Sequence, residues 1–197
     1  MTTKVSTLML ESLAPASPSD TDATNSGKVV QLSSTGYVPD AYVDRFVDQW
    51  RMTADLVNTA DPISANLTRG LLFGSTGMTV AAGVWTFPST GIYRVSSSMS
   101  ADLGANAGGG AATGTLHLTT NANDSEGASW SEISSGAESG NSSTEYGVLG
   151  VSSLIDVTAV ADVKVKFAVT QTLTTNSILG HATSNRTFFT FEKLGGT

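Results

Sequence analysis

The amino-acid sequence predicts an antiparallel all-β body, a sandwich or jelly roll, preceded by an extended N-terminal arm. Three observations carry that prediction. Short runs of β-branched and aromatic residues recur at turn-length spacing, about eight to ten of them, and no stretch of helical period is long enough to cover a parallel sheet. Several of these runs alternate apolar and polar residues, the period of a strand with one buried face. The composition agrees, because only 14% of the 197 residues are charged and Ser, Thr, Gly and Asn fill the polar positions. Ser and Thr suit pleated surfaces, and Gly and Asn suit tight turns. With 40% hydrophobic residues the chain has enough apolar material for one sizeable core.

Residues 1–44 differ from the rest. Pro15, Pro18 and the polar run from Ser17 to Ser26 cannot bury enough apolar surface to fold alone, so this segment reads as an extended arm. Its apolar patches, Val5, Leu8, Leu10 and Leu13 and then Val29, Val30 and Leu32, are expected to find cover on another chain or a neighbouring subunit. A disordered tail is the alternative. Residues 45–197 form the β domain. At its start, Tyr42 to Met52 fits two templates. Val43, Phe46, Val47 and Trp50 recur at helical spacing behind Pro39, whereas Phe46, Asp48, Trp50 and Met52 alternate. The β context favours a strand centred on residues 49–53.

The next elements follow in order. Gly70 to Gly77 reads as a turn-rich approach to a hairpin. Val84-Trp85-Thr86-Phe87 and Ile92-Tyr93-Arg94-Val95 are its two strands, joined by Pro88-Ser89-Thr90-Gly91, a fixed φ followed by a permissive one. Thr115 to Thr119 alternates, and Tyr146 to Leu154 does so more loosely. Val163, Val165, Phe167 and Val169 make the clearest period-two run, with Lys164 and Lys166 on the opposite face. Thr187 to Leu194 is the last strand. Gly104 to Gly114 and Asn121 to Ser143 read as loops by composition.

Charge and motifs bound the function. With 17 acidic and 10 basic residues the net charge is −7, and no Lys/Arg cluster exists to track phosphates, so nucleic acid is not an expected partner. The absence of cysteine removes disulfides and thiolate metal sites. Residues 5–11 are too short and interrupted for a secretion signal, and no apolar run reaches about 18 residues, so neither export nor a membrane partner is expected. The product is expected to be made and kept in a cytoplasm until assembly or lysis. His117 sits between Leu116 and Leu118 as a sheet-face residue, and His181 follows Gly180 in a turn; no Gly-x-Ser-x-Gly elbow accompanies them. Asn121 to Glu132 suggests a calcium loop, but Glu126 stands where the sharp turn needs Gly, which leaves only a looser site open. Gly70 to Gly77 lacks the lysine of a phosphate loop. Asn66, Asn123, Asn141 and Asn185 match the glycosylation pattern, which Ser/Thr-rich chains produce freely. No catalytic set, cofactor or metal is expected.

Trp50-Arg51-Met52-Thr53, Gly77-Met78, the segment from Gly83 to Tyr93 and the closing strand Arg186 to Gly195 together resemble virion proteins of marine tailed bacteriophages. Those proteins are similar to the trimeric jelly roll of tumour necrosis factor and the complement globular head. The likeness spans residues 48–195, with the middle loops unmatched. In the arm, Ser26 to Leu32 and Gly36 to Pro39 are similar to short connecting modules of phage fibres and capsid accessory proteins. The resemblance implies a homotrimer packed around a threefold axis, with Phe167, Phe189 and Phe191 as trimer-interface candidates; filling the monomer core is the alternative for each.

It further implies a virion structural protein, a homotrimeric decoration or cement protein on the outer capsid surface. Residues 1–44 would then dock on the major capsid protein or reach neighbouring trimers. The second reading is a tail-fibre or head-appendage tip that binds a host surface receptor such as a glycan, with Trp130 and Asn141 as exposed recognition residues in the loops. An enzyme such as a glycan depolymerase would draw on Glu126, Glu132, Glu138 and Glu145, but nothing in the sequence fixes their separation. The expectation is therefore of a non-enzymatic protein.

Overall fold

The computed structural model describes residues 45–74, 76–104, 110–122, 127–141 and 145–196. The arm, with Leu8, Leu10, Leu13, Val29, Val30 and Leu32, lies outside the described residues. The described chain is built of antiparallel strands, with no helix among the described residues: β1 (Val47–Met52), β2 (Leu56–Val57), β3 (Leu67–Phe73), β4 (Thr79–Ala81), β5 (Val84–Thr86), β6 (Gly91–Asp102), β7 (Ala111–Thr119), β8 (Ser131–Ser139), β9 (Tyr146–Val157), β10 (Lys164–Gln171), β11 (Ser177–Ile178) and β12 (Phe188–Gly195). Residues 47–52 are thus a strand, in line with their alternation.

Two sheets face each other. The five-stranded sheet runs β4-β5-β10-β7-β8, and the seven-stranded sheet runs β2-β11-β6-β12-β1-β3 with β9 on the free side of β6. β6 organises the second sheet. Its residues 92–98 pair with β12, Ala101 and Asp102 pair with β11, and its whole length pairs with β9.

The interior is made by the inward residues of both sheets. In β6 these are Tyr93, Val95, Met99 and Ala101, and in β10 they are Val165, Phe167 and Val169, as the period-two pattern predicts. Trp85 stands at the centre, 5.0 Å from the ring of Trp50 and 4.8 Å from that of Phe191, while Phe167 packs 4.7 Å from Phe189. Each such ring stabilises the fold by roughly 1.5–3 kcal/mol through area alone, with somewhat more from ring–ring geometry.

Four sequence expectations change. The predicted hairpin is instead a crossing between sheets: β5 pairs with β4 and β10, whereas β6 pairs with β9, β11 and β12. The reason lies in the rings. Trp85, Phe87 and Tyr93 are all buried, and Phe87 meets Tyr93 at 4.8 Å across the corner. Pro88 has no N–H to continue a ladder, and the Tyr93 hydroxyl donates to the Ser89 carbonyl at 2.9 Å, which closes the turn. Gly91 completes it at φ 140°, where an added Cβ would lie 2.5 Å from the Gly195 carbonyl oxygen.

The other three changes are strand residues read as loops or turns. Residues 131–139 form β8 and residues 67–73 form β3, and β7 begins at Ala111 within the supposed Gly104–Gly114 loop. Both β8 and β3 are edge strands exposed on most of their length, so neither shows an apolar alternation; pairing with β7 and β1 makes them strands. β3 also shifts register at Gly70, which breaks its pattern.

A buried ion pair anchors the β1–β3 side. Asp48 is fully buried, and its carboxylate accepts from Arg69 Nε at 3.0 Å, from Arg69 Nη2 at 3.2 Å and from the Met78 N–H at 2.7 Å. Arg69 also donates to the Met78 carbonyl and stacks 4.6 Å over Trp50. Gly77 is the only residue type that fits beside it, because an added Cβ would lie 2.4 Å from Asp48 Oδ2. On the opposite side the two sheets meet where β8 runs beside β9. There a Cβ on Gly136 would fall 2.4 Å from the Gly150 carbonyl oxygen, and Ser152 N–H donates to Ser134 Oγ at 3.2 Å.

Two predictions follow from these anchors, both read by urea unfolding. Asp48→Ala leaves Arg69 and the Met78 N–H without their acceptor and is expected to cost about 3 kcal/mol. Gly136→Ala forces backbone apart and is expected to cost about 1–3 kcal/mol, whereas Gly150→Ala, whose Cβ meets nothing within 4 Å, stays within about 0.5 kcal/mol of the parent. Equal losses for the two glycine variants would contradict the close approach.

Candidate interaction face

The outward side of the seven-stranded sheet is the surface most unlike an ordinary solvated one. The strand registers place its residues in rows. One row runs Leu154, Arg94, Glu192, Val47, Phe73, and the next runs Ser152, Ser96, Thr190, Gln49, Leu71. A third continues Gly150, Ser98, Phe188, Arg51. The β6–β9 part of the second and third rows, Ser96, Ser98, Gly150 and Ser152, is therefore small and neutral. The two margins of the face are apolar and exposed: Leu154 at 63% on β9, and Leu71 at 54% and Phe73 at 55% on β3, with Leu194 on β12 nearby at 43%.

Charge on the three rows is confined to Arg94, Glu192 and Arg51. Arg94 pairs with Glu192 at 3.2 Å, which neutralises the middle of the first row without contributing much stability at the surface. The outward side of the five-stranded sheet differs. There Lys164, Lys166, His117 and Glu132 stand at neighbouring register positions, and Lys166 is held by Asp61 at 2.6 Å. The two faces thus separate chemically into one built for water and one that gains by being covered.

The predicted site residues fall as follows. Phe167, Phe189 and Phe191 are exposed 1%, 1% and 0%, inside the sandwich, so in this conformation they offer no surface to a second subunit. They belong to the core because their strands direct these alternate positions toward the facing sheet, while Lys166, Thr190 and Glu192 take the outward positions. Trp130 and Asn141 flank β8 at its two ends, about 30 Å apart at the rise of a nine-residue strand. Trp130 is also only partly exposed, with the Lys166 ammonium 5.1 Å from its ring. Sequence reading missed Leu71, Phe73, Leu154 and Leu194 as a surface. Their register becomes visible only once strand pairing is known.

The residues weighed for chemistry have structural partners. His117 Nε2 bonds Thr115 Oγ1 at 2.9 Å, and His181 Nδ1 accepts from the Thr183 and Ser184 N–H groups at 3.2 and 3.1 Å, which holds its own turn. Asn121 Oδ1 accepts from Thr119 Oγ1, Ser129 N–H and Ser129 Oγ, so it serves to close the loop around it. Among the described residues no group of three or more His, Cys, Asp or Glu is placed to hold a metal ion.

No family model and no curated protein matches this chain. Solved structures do. Murine APRIL at pH 5.0 aligns with a TM-score of 0.55 at 12% identity, over 77% of this chain and 100% of that one. The Eiger TNF from S. frugiperda aligns with a TM-score of 0.55 at 18% identity, over 77% of this chain and 93% of that one. At such identities the likeness concerns the fold: the body is an all-β antiparallel jelly roll of the tumour-necrosis-factor type.

Proposed function

We propose that the protein is a non-enzymatic structural protein that forms a homotrimer through the outward face of its seven-stranded sheet. The carrying observation is the pair of exposed apolar margins on one neutral face. The β9 margin at Leu154 and the β3 margin at Leu71 and Phe73 are different surfaces. Contact between unlike patches is heterologous, and such contacts leave no free patch only when they close into a ring. Three copies so arranged cover the margins and the small-residue centre together.

We place this trimer on the outer capsid surface of a tailed phage, as a decoration protein whose N-terminal arms dock on the major capsid protein. The support for this finer reading is the likeness of residues 48–195 to phage virion proteins and the composition of residues 1–44. Its mechanism is mass action with multivalency: three arms on one body bind the assembled shell and favour it over its parts.

The oligomer is tested by sedimentation velocity. Leu154→Glu and Phe73→Glu each remove one margin, and each is expected to give a folded monomer, since both side chains are exposed in the subunit. An equimolar mixture of the two variants retains one good contact and is expected to show a two-subunit species. A monomeric parent protein, or variants that remain trimeric, would contradict the reading. For the capsid role, shells with and without the protein are heated together. Shells lacking it are expected to open at lower temperature, and equal survival with lost host adsorption would favour an appendage tip instead.

A further inference from the structure

At the Tyr146 end of the same sheet, β6 and β9 run on past β12 and leave a hollow of about 590 Å³. Ser100, Glu138, Tyr146, Val148, Leu179 and Arg186 line it. We propose that this hollow is a binding site for a neutral saccharide ring. All its lining residues belong to one subunit, and it begins one row beyond the Gly150–Ser98 row, outside the rows assigned to the trimer contact; it does not rest on a place in a virion.

Its floor is built rather than accidental. Ser100 is the pin: its N–H donates to Thr187 Oγ1 at 3.1 Å, its hydroxyl donates to the Arg186 carbonyl at 2.9 Å, and its carbonyl accepts from the Leu179 N–H at 2.7 Å. The segment between β11 and β12 is thereby fixed to β6, and Asn185 Nδ2 fixes it again by donating to Gln49 Oε1 at 2.6 Å. Arg186 leaves this segment on a backbone that is already held. Across from it, Gly147 lets Glu138 lie against β9, because a Cβ there would approach the Glu138 Cβ to 3.0 Å.

The lining matches a sugar in three respects. Tyr146 is 68% exposed, a large ring left in water whose flat face suits the C–H side of a pyranose. The Arg186 guanidinium supplies donors and the Glu138 carboxylate supplies acceptors, and among the described residues neither is paired. A ring of hydroxyl groups, each both donor and acceptor, satisfies the two at once. The volume falls in the range of small-molecule pockets, about 300–1,000 Å³. Neutrality follows from charge balance: the Glu138 carboxylate and the Arg186 guanidinium offset one another in the lining, so a ligand without net charge satisfies both, while the −7 of the whole chain disfavours an acidic one.

Saturation-transfer NMR on the full chain tests this with the methyl glycosides of glucose, galactose, mannose and N-acetylglucosamine, and with galacturonate as the acidic probe. Transfer to at least one neutral glycoside is expected, with at least a fivefold loss in Tyr146→Ala and in Arg186→Ala and weaker transfer to galacturonate. Both replaced side chains are exposed, so the melting temperature is expected to hold and to separate lost binding from lost folding. The proposal is overturned if no neutral glycoside receives transfer at 20 mM, if the two folded variants bind as the parent does, or if galacturonate binds better.

Discussion

One packing constraint governs this molecule: two antiparallel sheets share a single set of buried rings. Trp85 of the smaller sheet reaches Trp50 and Phe191 of the larger one at 5.0 and 4.8 Å, and Phe167 reaches Phe189 at 4.7 Å. Because side chains alternate along a strand, committing these positions to the interior commits their neighbours to the outside. The corner at Pro88 obeys the same constraint. Phe87 and Tyr93 are both needed inside, so the chain leaves one sheet and enters the other there instead of folding back as a hairpin.

What is left outward is unequal on the two sheets. The smaller sheet carries Lys164, Lys166, His117 and Glu132 outward, the first three half-buried and Glu132 exposed, while the larger shows a serine-rich centre between apolar margins. Apolar surface removed from water contributes roughly 25 cal/mol per Å², so a face of this kind gains from a neighbouring subunit what the charged face does not. The small centre also matters. Ser96, Ser98 and Ser152 carry only small side chains there, which would let the backbone of a second copy in the proposed trimer approach where larger side chains would hold it off.

Much of the fold was legible in local pattern. Val163, Val165, Phe167 and Val169 alternate with lysines because β10 is a central strand with one wet face, and the prediction and the structure agree there. Legibility failed at edges. β8, with Ser131, Glu132, Ser134, Ser135 and Gly136, has almost no apolar face to advertise, and β3 is interrupted by its bulge at Gly70. Both owe their conformation to a partner strand distant in sequence, which no short window contains. The interaction face was less legible still. Aromatic residues drew attention to Phe167, Phe189 and Phe191, yet the most apolar side chains of a sandwich fill its core first, and a surface is made by moderately apolar residues brought together by register. Leu154 and Phe73, 81 positions apart, share one row only through β6, β12 and β1.

The central claim is that the rows joining Leu154 to Leu71 and Phe73 on the outward face of the seven-stranded sheet are buried between copies while the outward face of the other sheet is not. Hydroxyl-radical footprinting at protein concentrations above and below the association midpoint measures this side chain by side chain. Leu154, Leu71, Phe73 and Leu194 are expected to become protected as concentration rises, with Lys164, Lys166, His117 and Glu132 unchanged. Protection that appears on the lysine-bearing face, or reactivity of the four apolar residues that is independent of concentration, would contradict the account.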